Sequence, residues 1–203
     1  MSRELIAIYG GTFSPPHIGH IRAAEAFFEA LNPDRFLIIP ASVPPHKSPV
    51  NGASPEDRLE MCRLAFSHIP RTEISEIELV REGKSYTVLT LRELTSPARD
   101  LVMLVGTDML LTLDQWYLAE EIFSLAEIAV IRRENDPEAA SAIDSTCQRY
   151  RERYGARIRY IHAPAVELSS SEVRAVLAEG KDASKYVTPA VEEYIKRWRL
   201  YRD

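Results

Sequence analysis

Several things are scarce in this chain of 203 residues, and each scarcity removes a class of protein. There are only two cysteines, Cys62 and Cys147, far apart and without metal-ligand spacing. That pattern excludes a disulfide framework, suits a reducing compartment, and leaves both as small core or surface residues. Positive charge is not in excess. Lys and Arg number 25 against 30 Asp and Glu, a net charge of −5, so the overall field repels phosphates. A general nucleic-acid binder is excluded, and any anionic ligand has to be drawn in by a local cluster of donors. No apolar stretch approaches the roughly 20 residues needed to span a bilayer. Met1-Ser2-Arg3-Glu4 leads directly into an apolar run that a glycine pair ends, with no signal-peptide core. Repeats and low-complexity segments are missing as well. The expectation is a soluble, cytoplasmic protein without membrane or nucleic-acid partners.

What is present is a hydrophobic fraction of 45%, ample for a buried core. Short apolar runs bounded by turn residues alternate with segments of helical period, which predicts α/β architecture with a parallel sheet and helices on both faces. Predicted strands are Leu5 to Tyr9, Arg35 to Ile39, an alternating edge strand from Thr72 to Leu79, Asp100 to Val105, Glu127 to Ile131 and Arg157 to Ile161. Ile18, Ile21, Ala24, Phe28 and Leu31 mark a helix that Asn32-Pro33 stops. Ser54 is a plausible cap for a helix from Pro55 to Phe66, and Ser85 for one from Tyr86 to Leu94. Helical segments reach Leu125, and a polar helix runs from Pro137 to Tyr154. Two last helices open at Ser169-Ser170-Ser171 and at Thr188-Pro189. The whole is expected to be one domain, 1–203, with 163–203 as its C-terminal helical part.

The loop after the first strand reads Gly10-Gly11-Thr12-Phe13-Ser14-Pro15-Pro16-His17-Ile18-Gly19-His20. In an open α/β sheet this is the usual phosphate site. Gly10 and Gly11 let backbone approach a phosphate closely, and the helix that follows offers orphan N–H groups and a positive dipole end. His17 and His20, three apart, can face one point, with Gly19 keeping that face open. The three-glycine dinucleotide fingerprint and the Gly-Lys-Ser/Thr of ATPase loops are both missing, so a different phosphate chemistry is implied. A glycine turn with one buried and one exposed histidine is the plainer alternative. Late in the chain, Ser169-Ser170-Ser171-Glu172-Val173-Arg174 opens a helix where hydroxyls, free N–H groups and a guanidinium could hold an anion. Alone it reads more often as a capped helix with a surface arginine.

The segment from Gly10 to His20 resembles the signature of the nucleotidylyltransferase superfamily, His-x-Gly-His, and Ser-Ser-x-x-Val-Arg resembles its triphosphate motif. Pro44-Pro45-His46-Lys47, Ser85-Tyr86-Thr87 with Thr90-Leu91, and Gly106-Thr107-Asp108 followed by Leu113 and Trp116 look like bacterial nicotinate-nucleotide adenylyltransferase. The resemblance covers about Leu5 to Arg174. It implies a Rossmann-like fold and attack of an acceptor phosphate on the α-phosphorus of ATP, with magnesium (Mg2+) bridging the phosphates.

The same resemblance assigns His17, His20 and Arg174 to catalysis, and Gly10, Gly11, Thr12, Phe13, Gly106, Asp108, Ser170 and Ser171 to ATP. His46, Lys47, Thr87, Trp116 and Tyr117 would hold nicotinate mononucleotide. Arg132-Arg133 could help hold the nucleotide or be an exposed basic pair. Position 14 is Ser14 where the family usually has Asp, which puts any role of that carboxylate in doubt; Thr107 in place of Ala is milder. Nicotinamide mononucleotide or phosphopantetheine are the alternative acceptors. A catalytically silent nucleotide sensor is the alternative of another class, and a homo-oligomer is left open.

Overall fold

The computed structural model describes residues 3–42, 52–132, 137–162 and 168–202, with only the backbone of Arg132 and of 137–139. Six strands form one parallel sheet: β1 (Glu4–Gly11), β2 (Arg35–Pro40), β3 (Thr72–Ile74), β4 (Arg99–Val105), β5 (Glu127–Arg132) and β6 (Ile158–His162). Their order is β3-β2-β1-β4-β5-β6, which is that of a doubly wound, Rossmann-like sheet. The helices are α1 (Ile18–Leu31), α2 (Pro55–Phe66), α3 (Thr87–Leu94), α4 (Thr107–Leu111), α5 (Ala119–Leu125), α6 (Pro137–Tyr154), α7 (Ser170–Ala178) and α8 (Pro189–Trp198).

The continuous apolar runs of the strands follow from burial on both faces. Ala7, Phe36, Ile38, Val102 and Leu104 face one way, onto a core that includes Phe27 of α1, Met61 of α2, Val173 of α7 and Ile195 of α8. Ile6, Ile8, Leu37, Ile39, Met103 and Val105 face the other, onto Leu91 of α3, Leu110 of α4, Phe123 of α5 and Tyr150 of α6. The period of two therefore sorts each strand between two helical layers. Cys62 lies in the first core and Cys147 in the second, both as buried free thiols. Among the described residues, no helix is long and apolar enough to cross a membrane.

Local chemistry sets the helix starts. Ser54 accepts the Asp57 N–H at 3.1 Å while Asp57 accepts the Ser54 N–H at 2.9 Å, closing a reciprocal cap ahead of Pro55. Ser169 and Glu172 repeat that device at α7. Two expectations need correction. β3 ends at Ile74 rather than Leu79, because Leu79 and Val80 turn back onto the Glu76 carbonyl instead of continuing the ladder. Ser85 does not cap α3. Tyr86 occupies the cap position, and the Ser85 hydroxyl instead accepts the Ser42 N–H at 2.9 Å from the neighbouring loop.

Candidate active site

The sheet reverses its winding between β1 and β4, and at the carboxyl ends of these strands lies a cavity of about 300 Å³. Gly10, Gly11, Thr12 and His20 line one part of it; Gly106, Asp108, Thr87, Trp116 and Tyr117 line the rest. Residues proposed for ATP and residues proposed for the pyridine nucleotide thus meet in one concavity. A Cβ at Gly10 would meet only the Ile39 carbonyl at 4.0 Å, so the bare backbone faces open space there. At Gly11 a Cβ would strike the Phe13 ring at 2.9 Å. Phe13 itself has φ 47 and is buried, edge-on to Tyr9, His20 and Phe66. Its side chain is therefore a core anchor of the loop, leaving only its backbone for a ligand.

His17 and His20 come together as stacked rings, with centroids 3.7 Å apart. His20 Nδ1 accepts the His17 backbone N–H at 3.2 Å. In the neutral ring the proton then sits on Nε2, which makes that atom a donor. His20 lines the cavity, whereas His17 is buried behind it at 4% exposure. Burial lowers the His17 pKa to about 4, partly offset by the Glu172 carboxylate, so this imidazole is neutral at physiological pH. Its Nδ1 is buried with no hydrogen-bond partner among the described residues.

Arg174 donates to the Ser14 carbonyl at 2.8 Å and to the Ser171 hydroxyl at 2.9 Å, and the Ser170 hydroxyl donates to the Pro15 carbonyl at 3.0 Å. The late anion motif is thereby brought across 155 to 160 residues onto the first loop. Ser14 is 1% exposed, outside the cavity wall, with its hydroxyl 3.0 Å from that of Tyr201. On the acceptor side the Tyr86 and Tyr117 rings lie 4.7 Å apart, with Tyr117 about half exposed. His46, Lys47 and Arg133 lie outside the described residues, and of Arg132 only the backbone is described.

Three residues went unnoticed in the sequence. Arg58 is buried in α2 and donates to the carbonyls of Thr12, Ala41 and Ser42. Set among Glu56, Asp57 and Glu60, it reads as a surface helix charge and carries no signal of its own. Glu78 is a buried carboxyl on the cavity wall, pushed up in pKa by burial and stabilised as an anion by the hydroxyls of Thr90 and Ser85. The predicted edge strand concealed it. Tyr201, three residues from the last described helix, had no pattern around it.

A parallel sheet wound both ways, with a Gly-Gly and His-x-Gly-His loop at the crevice where the winding reverses, defines a nucleotidyltransferase. Residues 8–176 match the family model described as cytidylyltransferase-like. Proteins named "Probable nicotinate-nucleotide adenylyltransferase" match nearly end to end. The one from Caldicellulosiruptor saccharolyticus is 36% identical over 98% of this chain and 99% of its own, and the one from Synechococcus sp. (strain JA-2-3B'a(2-13)) is 38% identical over 99% and 98%. The chain belongs to the cytidylyltransferase-like family and, within it, to the nicotinate-nucleotide adenylyltransferases. Plasmodium falciparum nicotinic acid mononucleotide adenylyltransferase complexed with NaAD shares the fold, with TM-score 0.74 at 19% identity over 98% of this chain and 97% of that one.

Proposed function

We propose that the chain joins ATP to nicotinate mononucleotide, releasing pyrophosphate and nicotinate adenine dinucleotide, a step of NAD biosynthesis. The carrying observation is that Gly10, Gly11 and His20 line the same cavity as Thr87, Trp116 and Tyr117 at the end of the sheet. An oxygen of the acceptor phosphate forms the new bond to the α-phosphorus as the bond to the β-phosphate oxygen breaks, and the electron pair leaves with pyrophosphate. The attacking phosphate is already an anion, so no general base is needed. The protein's work is alignment and stabilisation of charge.

In this reading His20, protonated on Nε2, donates to an α-phosphate oxygen. His17, neutral and buried behind the cavity, is the second imidazole of the pair and backs the His20 ring by stacking. Arg174, Ser170 and Ser171 take the β and γ phosphates, and Gly106 and Asp108 the ATP ribose and phosphates. His46 and Lys47 take the acceptor phosphate, Thr87 and the Tyr117 backbone the pyridine carboxylate, and Trp116 the ring. Magnesium would be held by the oxygens of the triphosphate and would neutralise charge on the leaving pyrophosphate. No cluster of three acidic, His or Cys side chains among the described residues could cage a metal, and Mg²⁺ commonly keeps phosphate and water ligands.

The test is pyrophosphate release from ATP and magnesium with nicotinate mononucleotide, beside nicotinamide mononucleotide and a blank without acceptor. Release with the acid and little with the amide is expected, because donors set for a carboxylate are left unpaired by the amide. Equal release with both would discard the specificity. ATP binding with no release would favour a nucleotide sensor.

A further inference from the structure

Two buried side chains outside the cavity tie its two loops together. Arg58 donates to Thr12 O at 2.9 Å in the loop after β1, and to Ala41 O at 2.6 Å and Ser42 O at 3.1 Å where the chain leaves β2. Thr12 and Ala41 both line the cavity; Arg58 does not. Tyr201 makes the same connection from the other end. Its hydroxyl pairs with Ser14 Oγ in the first loop at 3.0 Å, and its backbone N–H donates to Gly52 O at 3.2 Å, where the chain returns towards α2. Gly52 has φ +99, and a Cβ there would lie 3.0 Å from the Tyr201 ring, so the tyrosine is seated against backbone. The first loop is thereby held to the departing and the returning ends of the segment after β2.

We infer that Arg58 and Tyr201 are positioning residues that set the spacing between the loop after β1 and the cavity-lining end of β2, by holding Thr12 and Ser14 to Ala41, Ser42 and Gly52. The inference rests on the functional reading above, which gives the cavity that Thr12 and Ala41 line to the two substrates. A guanidinium is suited to this task because its planar fork fixes several carbonyl directions at once, whereas an ammonium fixes none. Burial holds its pKa down, so keeping the fork there costs desolvation. In-line transfer depends steeply on this spacing, since a displacement of about 1 Å can cost about 100-fold in rate.

The experiment compares wild type with Tyr201→Phe, Ser14→Ala, the double variant, and Arg58→Lys. Pyrophosphate release is measured at saturating ATP-magnesium and nicotinate mononucleotide, well below each melting temperature, with ATP affinity by calorimetry in parallel. Tyr201→Phe and Ser14→Ala are each expected to lower kcat about tenfold, and Arg58→Lys about 100-fold. The double variant should be no slower than the slower single, because losing either hydroxyl already disconnects the pair. A purely structural tyrosine would lower the melting temperature and leave kcat alone. Wild-type kcat in folded Tyr201→Phe, or losses that multiply in the double variant, would overturn the inference. If wild type releases no pyrophosphate, the functional reading fails by itself. The calorimetry then decides the positioning claim: about tenfold weaker ATP binding in Tyr201→Phe supports it and unchanged binding overturns it.

Discussion

The hydroxyl of Ser14 meets the hydroxyl of Tyr201 at 3.0 Å in the interior, 187 residues apart in sequence. The resemblance leads one to expect Asp at position 14, and the contact shows how the serine is held there. The side chain points away from the cavity, into a site where the Arg58 and Arg174 charges both act on Tyr201. A carboxylate at this position would accept a hydrogen bond from the Tyr201 hydroxyl, with the Arg58 and Arg174 charges partly offset by Asp57. Ser14→Asp is therefore expected to keep turnover close to wild type, because the carboxylate preserves the contact with Tyr201 that Ser14→Ala loses. A loss as large as that of Ser14→Ala in steady-state assays would mean that a carboxylate cannot take over the contact with Tyr201.

The two glycines of the first loop should respond to alanine in opposite ways. Gly10→Ala adds a methyl group into open space at the cavity wall, so the melting temperature stays near wild type while the KM for ATP rises. Gly11→Ala drives a methyl group into a Phe13 ring that is fully packed, and costs about 1–3 kcal/mol of stability. Thermal melts and ATP titrations of both variants check this; the reverse pattern would mean that the loop's facing has been misassigned.

His20→Ala removes a proposed phosphate donor, and loss of one such donor lowers turnover about 100- to 1000-fold. It also removes the acceptor of the His17 N–H, a capping contact whose loss costs about 1 kcal/mol. Circular dichroism at the assay temperature separates the two effects. Folded protein with near-normal turnover would remove His20 from the chemistry.

The pH dependence of stability should carry the signature of His17. In the unfolded chain this group titrates near 6.5, and in the folded chain near 4. Between those values the unfolded state binds a proton that the folded state refuses. Its contribution is thus fully present above about pH 6.5 and is lost progressively as pH falls towards 4. Melting temperatures of wild type and His17→Asn at pH 7.5 and pH 5.0 should differ in slope, with the variant flatter. Equal slopes would mean that the imidazole is not buried as described.

Much of the fold and of the site follows from local pattern. The apolar runs of β1, β2, β4 and β5 are buried on both faces, so their composition alone marks them. Caps such as Ser54 with Asp57 and Thr188 with the Val191 N–H satisfy backbone groups within three residues, so short-range sequence determines where those helices begin. The nearness of Gly10, Gly11 and His20 and the stacking of His17 on His20 are local for the same reason, since one strand end and one helix turn suffice to bring them together. Tertiary structure alone decided the rest. The partners of Arg58, Glu78 and Tyr201 are set by a strand order that places β2 and β4 on either side of β1, and a hydrogen bond between residues 14 and 201 leaves no periodic trace in the residues between. Ser85 shows the competition directly, since its hydroxyl could have capped α3 and was instead taken by the Ser42 N–H from across the sheet edge. Sequence settles contacts within a turn or a strand; contacts between loops are settled by the sheet that holds them, because only there do the distant donors and carbonyls come within reach of each other.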